Sequence, residues 1–299
     1  MTLNQTLLLS GYVVLFIGSI AAMLWWQQQR RKTRLPFSED VKLLRAPGET
    51  QLRRVRQFDE DAIQWMALAA GVPATVAVLL LIGVAQLPQD LQTGGAALTL
   101  IAFLASFYVA ARWFAAKTRE RGDRYLGYFG ERLVAEHLEP LKLQGWRVFH
   151  DVPASANGRR FNLDHVAVGP PGVIVVETKT RRKGGARPGF DDYKVYFDGH
   201  ALVWPWGEDN HGLEQAERSA VWLAETLKAE LGEPVPVTPY LTLPGWWVEN
   251  KPSRDSRLCQ VVNAKGLAKF LPVGAAILGA RQIEAVAAKL EARCRDVEY

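Results

Sequence analysis

Three long apolar runs with almost no acidic or basic side chains constrain the fold of this chain more than any other feature. They cover residues 7–26, 66–87 and 94–116, and Arg112, near the end of the third run, is their only charge. A helix of about 20 apolar residues crosses the hydrocarbon core of a bilayer. The sequence therefore predicts a membrane region of three helices within residues 1–116, followed by a separate domain over residues 117–299.

The first run has one other interpretation, a cleaved signal peptide. A signal peptide carries its positive charges before the apolar run, whereas Arg30, Arg31 and Lys32 follow this one. Trp25 and Trp26 stand at its end, where indole rings favour the headgroup region. The sequence therefore favours a membrane helix.

The placement of Lys and Arg around the three runs predicts their orientation. Nine of these residues lie in the loop 27–65 and four in residues 117–124, while the link 88–93 carries only Asp90. Positively charged loops remain in the cytoplasm. The loop and the C-terminal domain are therefore predicted on the cytoplasmic side of the inner membrane, with the N-terminus and the link outside. Cys259 and Cys294 lack metal-binding spacing and fit free thiols in a reducing compartment.

Residues 49–61, in the second half of the loop, show a helical and amphipathic pattern. Such a helix can lie on anionic lipid or in solvent, and the sequence leaves both open. Membrane lipid is thus one predicted partner. Because no Asp, Glu or His lies within the three runs, the sequence gives little support to a transporter or a proton relay.

The strongest functional signal is a pair of carboxylates on two predicted strands. Asp164 starts an apolar run that reaches a Gly-Pro-Pro-Gly corner at residues 169–172, and a second apolar run leads to Glu177 and Lys179. If the corner pairs Gly169 with Gly172, Asp164 faces Glu177 at about 5 Å between Cβ atoms. Such a pair needs a cation, and Mg²⁺ binds to one or two carboxylates together with phosphate oxygens. A one-residue shift of register would remove this arrangement.

The same residues have a simpler interpretation, in which Glu177 and Lys179 form a structural ion pair. Both project from the same face of the strand. The aliphatic residues 173–176 indicate a central strand covered on both faces. Burying charged groups at the end of such a strand is costly unless they pair with each other or take part in a functional site. The spacing therefore favours a site for metal-dependent phosphoryl transfer.

The remaining elements of the domain follow from periodicity and turn residues. The pattern predicts a helix over 127–138, a strand over 146–152, a turn at 157–160, a strand that ends at or includes Asp164, a strand over 172–179, a helix over 213–231, an edge strand within 234–247, a short strand at 260–262, and C-terminal helices over 266–271 and 281–293. The predicted buried stripe of the 213–231 helix is Leu213, Ala216, Ala220, Leu223 and Leu227.

Further candidate residues surround the two carboxylates. Glu131 lies on the first helix and points to the edge of the sheet or to solvent, and Gln215 near the start of the later helix is a site residue or a surface amide. The basic segment Arg181, Arg182, Lys183 and Arg187 follows the Glu177 strand. It either contacts a phosphate backbone or is simply solvated.

In this order, these motifs resemble the NERD (nuclease-related) domain of the PD-(D/E)XK nuclease superfamily. The resemblance spans about residues 125–230 and rests on Gly130-Glu131, Asp164-His165-Val166, the stretch from Gly172 to Glu177-Thr178-Lys179, and the later Gln215. It implies an α/β restriction-endonuclease-like fold, a mixed central sheet flanked by helices. Gly212 stands where the family pattern leads us to expect proline, which weakens the assignment of Gln215 alone.

The resemblance also implies roles for these residues. Asp164 and Glu177 would bind Mg²⁺ or Mn²⁺, and Lys179 would orient or activate the attacking water and stabilise charge on the phosphate. Glu131 would complete the acidic set and Gln215 would assist. His165 alternates to the other side of its strand and is interpreted as structural.

The sequence thus predicts a membrane-anchored, metal-dependent nuclease that acts on nucleic acid, with DNA as the expected substrate, at the cytoplasmic face. The alternative is a membrane scaffold that binds nucleic acid without cleaving it, or that cleaves only when a partner opens the site. The sequence leaves a homo-oligomer or another protein partner open.

Overall fold

The computed structural model describes residues 18–19, 22–23, 25–26, 41–251 and 256–297. Most of the predicted span 7–26 lies outside these residues, and the described ones within it are helical. Residues 43–297 form one compact unit, which contains the elements below.

A long helical hairpin starts this unit. Helix α1 is Glu49–Val84 and helix α2 is Gln89–Leu143. The hairpin is antiparallel, because Arg121 of α2 contacts Asp59 of α1 at 2.6 Å and the rings of Trp65 and Trp113 lie 5.8 Å apart.

Within the described residues, α1 and α2 are the two helices long and apolar enough to cross a membrane. They contain the second and third predicted spans. The helix that contains the second predicted span ends at Val84, and residues 85–88 connect it to α2, so the connection between the two helices is shorter and starts earlier than the link predicted at 88–93. The 49–61 segment is helical as predicted, but it is the first part of α1 and continues into the apolar part without a break.

The strands of the unit are β1 Leu43–Leu44, β2 Arg147–Ala156, β3 Arg159–Gly169, β4 Gly172–Thr178, β5 Lys194–Phe197, β6 Leu202–Trp204, β7 Gly207–Asp209, β8 Val237–Thr242, β9 Trp247–Asn250, β10 Gln260–Val262 and β11 Arg295–Val297. Five of them form the central sheet in the order β10-β8-β4-β3-β2, where β2, β3 and β4 are antiparallel and β4, β8 and β10 are parallel. The predicted mixed sheet is therefore present.

The strand predicted as an edge is internal. Strand β8 pairs with β4 on one side and β10 on the other. Pro239, which suggested an edge, lies before the part of β8 that pairs with β10, since that ladder covers only Tyr240 to Thr242. The missing N–H of Pro239 therefore breaks no hydrogen bond to β10.

Helices cover both faces of the central sheet. Helices α3 (His211–Leu231) and α5 (Ala280–Cys294) pack on one face. The end of α2 and the short helix α4 (Leu267–Phe270) pack on the other face, and a 3₁₀ turn at Ala264–Gly266 precedes α4. All five residues of the predicted stripe on α3 are buried. Both cysteines are buried free thiols, as predicted.

Two sheets were not predicted. Strands β7-β6-β5-β9 form a second sheet beside α3, and β1 pairs antiparallel with β11 near the C-terminus. The second pairing joins the segment before α1 to the end of the chain. Strands of two to four residues carry too little alternation to be recognised from sequence.

Candidate active site

Three buried carboxylates lie side by side on neighbouring strands. The β3–β4 ladder pairs Gly169 with Gly172 and continues to His165 opposite Val176, so the predicted register is confirmed and its next step sets Asp164 opposite Glu177. The β2–β3 ladder on either side of Asp151 sets that residue opposite Asp164. Asp151, Asp164 and Glu177 are at most 7% exposed. The sheet thus brings three acids into one row.

Lys179 and Gln215 lie beside Glu177, at one end of the row of acids. The Lys179 Nζ donates to Glu177 Oε1 at 2.7 Å and to Gln215 Oε1 at 2.9 Å. Gly212 makes room for this lysine, because a Cβ there would lie 3.1 Å from Lys179 Cγ. The glycine in place of the expected proline therefore does not displace Gln215 from the cluster.

Glu131 reaches the row from α2. Its neighbour Gly130 allows a close approach of the helix to the strand end, since a Cβ at Gly130 would lie 2.0 Å from Thr180 Oγ1. Glu131 is 4% exposed. The structure thus brings together Glu131, Asp164, Glu177, Lys179 and Gln215.

The carboxyl groups of Glu131, Asp164 and Glu177 all have raised pKa values. Burial, and then the charges of Asp151 and Glu177, raise the pKa of Glu131 to about 8. Burial also raises the pKa of Asp164 well above its usual value, reinforced by Glu177 and Glu131, and raises that of Glu177 despite the opposing effect of Lys179. Burial lowers the pKa of Lys179, but Glu177 and Asp164 outweigh it, so this pKa ends above its usual value.

The cluster fits a divalent cation. Glu131 Oε2 and Glu177 Oε2 are buried and have no hydrogen-bond partner, and a cation would offset both this deficit and the mutual repulsion of the acids. Among the described residues no three His, Cys, Asp or Glu side chains form a ready-made metal site. Asp164 and Glu177 nevertheless supply the one or two carboxylates that Mg²⁺ takes alongside water and substrate phosphate.

Asp151 was not recognised from the sequence, and neither were its partners. It adopts a left-handed backbone conformation with φ of 48°. Its carboxylate accepts hydrogen bonds from Arg45 Nη1 at 2.7 Å, from Thr50 Oγ1 at 2.7 Å and from Asn162 Nδ2 at 2.6 Å. Arg45 also binds Asp296 through two hydrogen bonds. Burial nonetheless raises the pKa of Asp151 more than Thr50 and Arg45 lower it.

His165 faces away from the acids, consistent with a structural role. Its Nδ1 lies 2.9 Å from Nδ1 of His150, and both rings are buried. Burial lowers the pKa of His165 well below its usual value and, with a contribution from Lys142, that of His150 to about 4. The pair is therefore neutral at physiological pH.

The basic segment of residues 181–187 lies against aromatic side chains of the second sheet region. Arg181 binds Asp209 at 2.6 Å and stacks over Trp204 at 4.6 Å, and Lys183 lies over Trp246 at 5.6 Å. Arg182 contacts Asp123 at 3.2 Å, and Arg187 donates to two backbone carbonyl oxygens. All four predicted phosphate-binding cations thus have partners within the protein.

Comparison with known proteins adds the decisive observation, since residues 126–244 match the family model described as nuclease-related domain. Residues 126–244 form a NERD domain. The solved structures similar to the chain include protein VC1899 from Vibrio cholerae, at 14% identity and a TM-score of 0.23. That match covers 85% of this chain, and this chain spans 59% of the other protein's length. No curated protein matches.

The NERD domain contains all five clustered residues, from Glu131 to Gln215. Arg45, Thr50 and Asp296, which surround Asp151, lie outside its boundaries. The segment before α1 and the end of the chain therefore complete the environment of the NERD domain's acids.

Replacing Glu131 by Gln is expected to stabilise the metal-free chain at alkaline pH. The folded pKa of about 8 lies above the usual 4.5, so folding favours the protonated form and wild-type stability falls as pH rises from 4.5 through 8. The variant avoids this loss, which amounts to about 2–5 kcal/mol above pH 8. Thermal unfolding of the full chain in detergent with EDTA, from pH 4.5 to 9, measures the difference.

Glu136→Gln on the same helix is the matched control, because this side chain is exposed. It should follow the wild type at every pH. Parallel unfolding curves for the wild type and Glu131→Gln across the whole range would contradict the assigned electrostatic cost.

Proposed function

We propose that this protein is a membrane-anchored, divalent-metal-dependent nuclease that hydrolyses phosphodiester bonds of DNA at the cytoplasmic face of the membrane. The observation that carries the proposal is the buried pair Asp164 and Glu177 beside Lys179 within a NERD domain. Paired buried acids with unpartnered oxygens are costly in a protein that does not use them.

Each residue has a role that its surroundings support. Asp164 and Glu177 would hold Mg²⁺ or Mn²⁺, which supplies Lewis-acid polarisation of the scissile phosphate. Lys179 Nζ, held by Glu177 and Gln215, donates to the water or to the phosphate oxygen on which negative charge grows. Glu131, buried beside this pair, would complete the acidic set.

Membrane anchoring rests on the two long helices. Their apolar parts expose large side chains such as Leu79, Ile101 and Val109, which an aqueous environment does not favour. Both polar ends of the hairpin lie on the side of the NERD domain and carry Lys and Arg, whereas the connection at residues 85–88 carries none, and this asymmetry marks a cytoplasmic location.

Cleavage by the purified full chain in detergent tests the proposal. Supercoiled plasmid, single-stranded DNA and RNA are incubated with Mg²⁺, Mn²⁺ or EDTA. We expect metal-dependent cutting of DNA. Binding without cutting under every metal condition would favour the non-cleaving scaffold, and cutting of RNA alone would correct the substrate. A chain that neither binds nor cuts any of the three would overturn the nuclease proposal.

A further inference from the structure

An arginine-lined groove lies beside the carboxylate row and outside the predicted basic segment. Its volume is about 390 Å³, and its walls are the first turns of α1, the β2–β3 hairpin and the end of α5 with β11. Four arginines line it, namely Arg45, Arg54, Arg160 and Arg293, against a single carboxylate, that of Asp296. Such an excess of guanidinium groups favours an anionic ligand.

Two of these arginines are available to a ligand. Arg45 is bound to Asp151 and Asp296, and Arg293 to Glu230. Arg54 and Arg160 are exposed, and neither forms an ion pair with any carboxylate among residues 41–251 and 256–297. By contrast, the cationic side chains of the basic segment 181–187 already contact aromatic rings, Asp209, Asp123 and backbone carbonyl groups.

The groove is continuous with the carboxylate row. Asn162 lines it and donates a hydrogen bond to Asp151 at 2.6 Å, and Asp151 stands opposite Asp164 in the sheet. Arg160 precedes Asp164 by four residues on the same strand, a distance of roughly 13 Å along the strand. A polyanion that contacts Arg160 therefore needs to extend roughly 13 Å along the strand to reach Asp164.

We propose that this groove binds the phosphodiester backbone of the nucleic-acid substrate, with Arg54 and Arg160 contacting its phosphates. The inference rests on the proposed nuclease function and specifies where the substrate enters. Guanidinium groups match phosphate oxygens in a bidentate manner. The contacts reach the backbone rather than the base edges, so binding is independent of sequence.

Charge reversal at the two free arginines tests the groove. The double variant Arg54→Glu/Arg160→Glu is compared with Arg56→Glu/Arg159→Glu, which makes the same charge change at exposed neighbours that do not line the groove. Binding of a labelled oligonucleotide to the full chain is measured in EDTA, where no cleavage is expected, at several salt concentrations.

The groove variant is expected to bind at least about 10-fold more weakly than the control variant, and to lower the slope of log K against log salt by about 1.4–1.8, the value for two phosphate contacts. In Mg²⁺ it should raise KM while kcat is retained, because these contacts hold substrate and transition state alike. Thermal unfolding verifies that both variants are folded.

The outcomes separate this inference from the proposed function. Equal weakening of nucleic-acid binding in the two double variants, or equal KM values, would overturn the proposed binding role of the groove. Cleavage by the wild type would still support the proposed nuclease function. Where the wild type cleaves but its binding in EDTA is too weak to measure, the comparison of KM values decides. A wild-type chain that neither binds nor cleaves nucleic acid overturns both.

Discussion

Lys179→Met is expected to lower kcat for metal-dependent cleavage by about 10²–10³-fold, the cost of removing one preorganised donor to a developing negative charge. Lys179 Nζ is fixed by Glu177 Oε1 and Gln215 Oε1, so it needs little reorganisation during the reaction. Methionine has nearly the same length and no charge. KM should change little, because the interaction strengthens only in the transition state.

Two comparisons separate chemistry from folding. Lys194→Met removes a lysine paired with Asp191 on the second sheet and should retain wild-type cleavage. Gln215→Ala should have a smaller effect than Lys179→Met, because Gln215 acts by holding the lysine. If Lys179→Met cleaves as fast as the wild type while folded, the Glu177–Lys179 contact is structural and the roles assigned to these residues are wrong.

Arg45→Ala is expected to destabilise the full chain by about 3–5 kcal/mol, since it leaves the buried Asp151 carboxylate without its cation. Asp151 is fully buried, and Arg45 is the arginine that contacts it. For a unit of this size, such a loss corresponds to a fall in Tm of about 10 °C. Thermal unfolding in detergent at pH 7.5 measures it.

The matched control is Arg147→Ala, because Arg147 pairs with Glu284 and both side chains are exposed, at 53% and 62%, and such pairs contribute at most about 1 kcal/mol. Asp151→Asn should restore much of the stability of Arg45→Ala, since it removes the unpaired charge. Failure of this rescue would mean that Arg45 acts by packing or through Asp296 alone. A fragment that begins at residue 117 lacks Arg45 and Thr50, so activity measurements need the full chain.

The acidic row shows what the sequence could and could not predict. Pairing Gly169 with Gly172 at the corner determines the cross-strand partner of each residue as far as His165. Counting one residue further along both strands sets Asp164 opposite Glu177. The Asn157-Gly158 turn, where both residues have positive φ, allows the same counting on the preceding hairpin. Applied there, it would have set Asp151 opposite Asp164.

The groove and the Arg45 contacts could not be predicted in this way. Arg45 is 106 residues from Asp151 and 251 from Asp296, and no local pattern encodes contacts at such separations. Helix α3 was predictable because its apolar stripe repeats over about four turns, whereas β1 and β11 have two and three residues. Periodicity identifies long elements, while the partners of short strands depend on how the whole chain packs.

The continuity of α2 has a consequence for substrate choice. Its 55 residues run without interruption from the apolar part to Glu131. Glu131 follows Lys117 by 14 residues. With the apolar part in a bilayer and Lys117 at its surface, the helix would hold Glu131 at most roughly 20 Å from the headgroups. The chain would then survey only a thin layer of cytoplasm beneath the membrane. DNA that has just crossed the envelope would pass through this layer, and distance rather than sequence recognition would spare the chromosome.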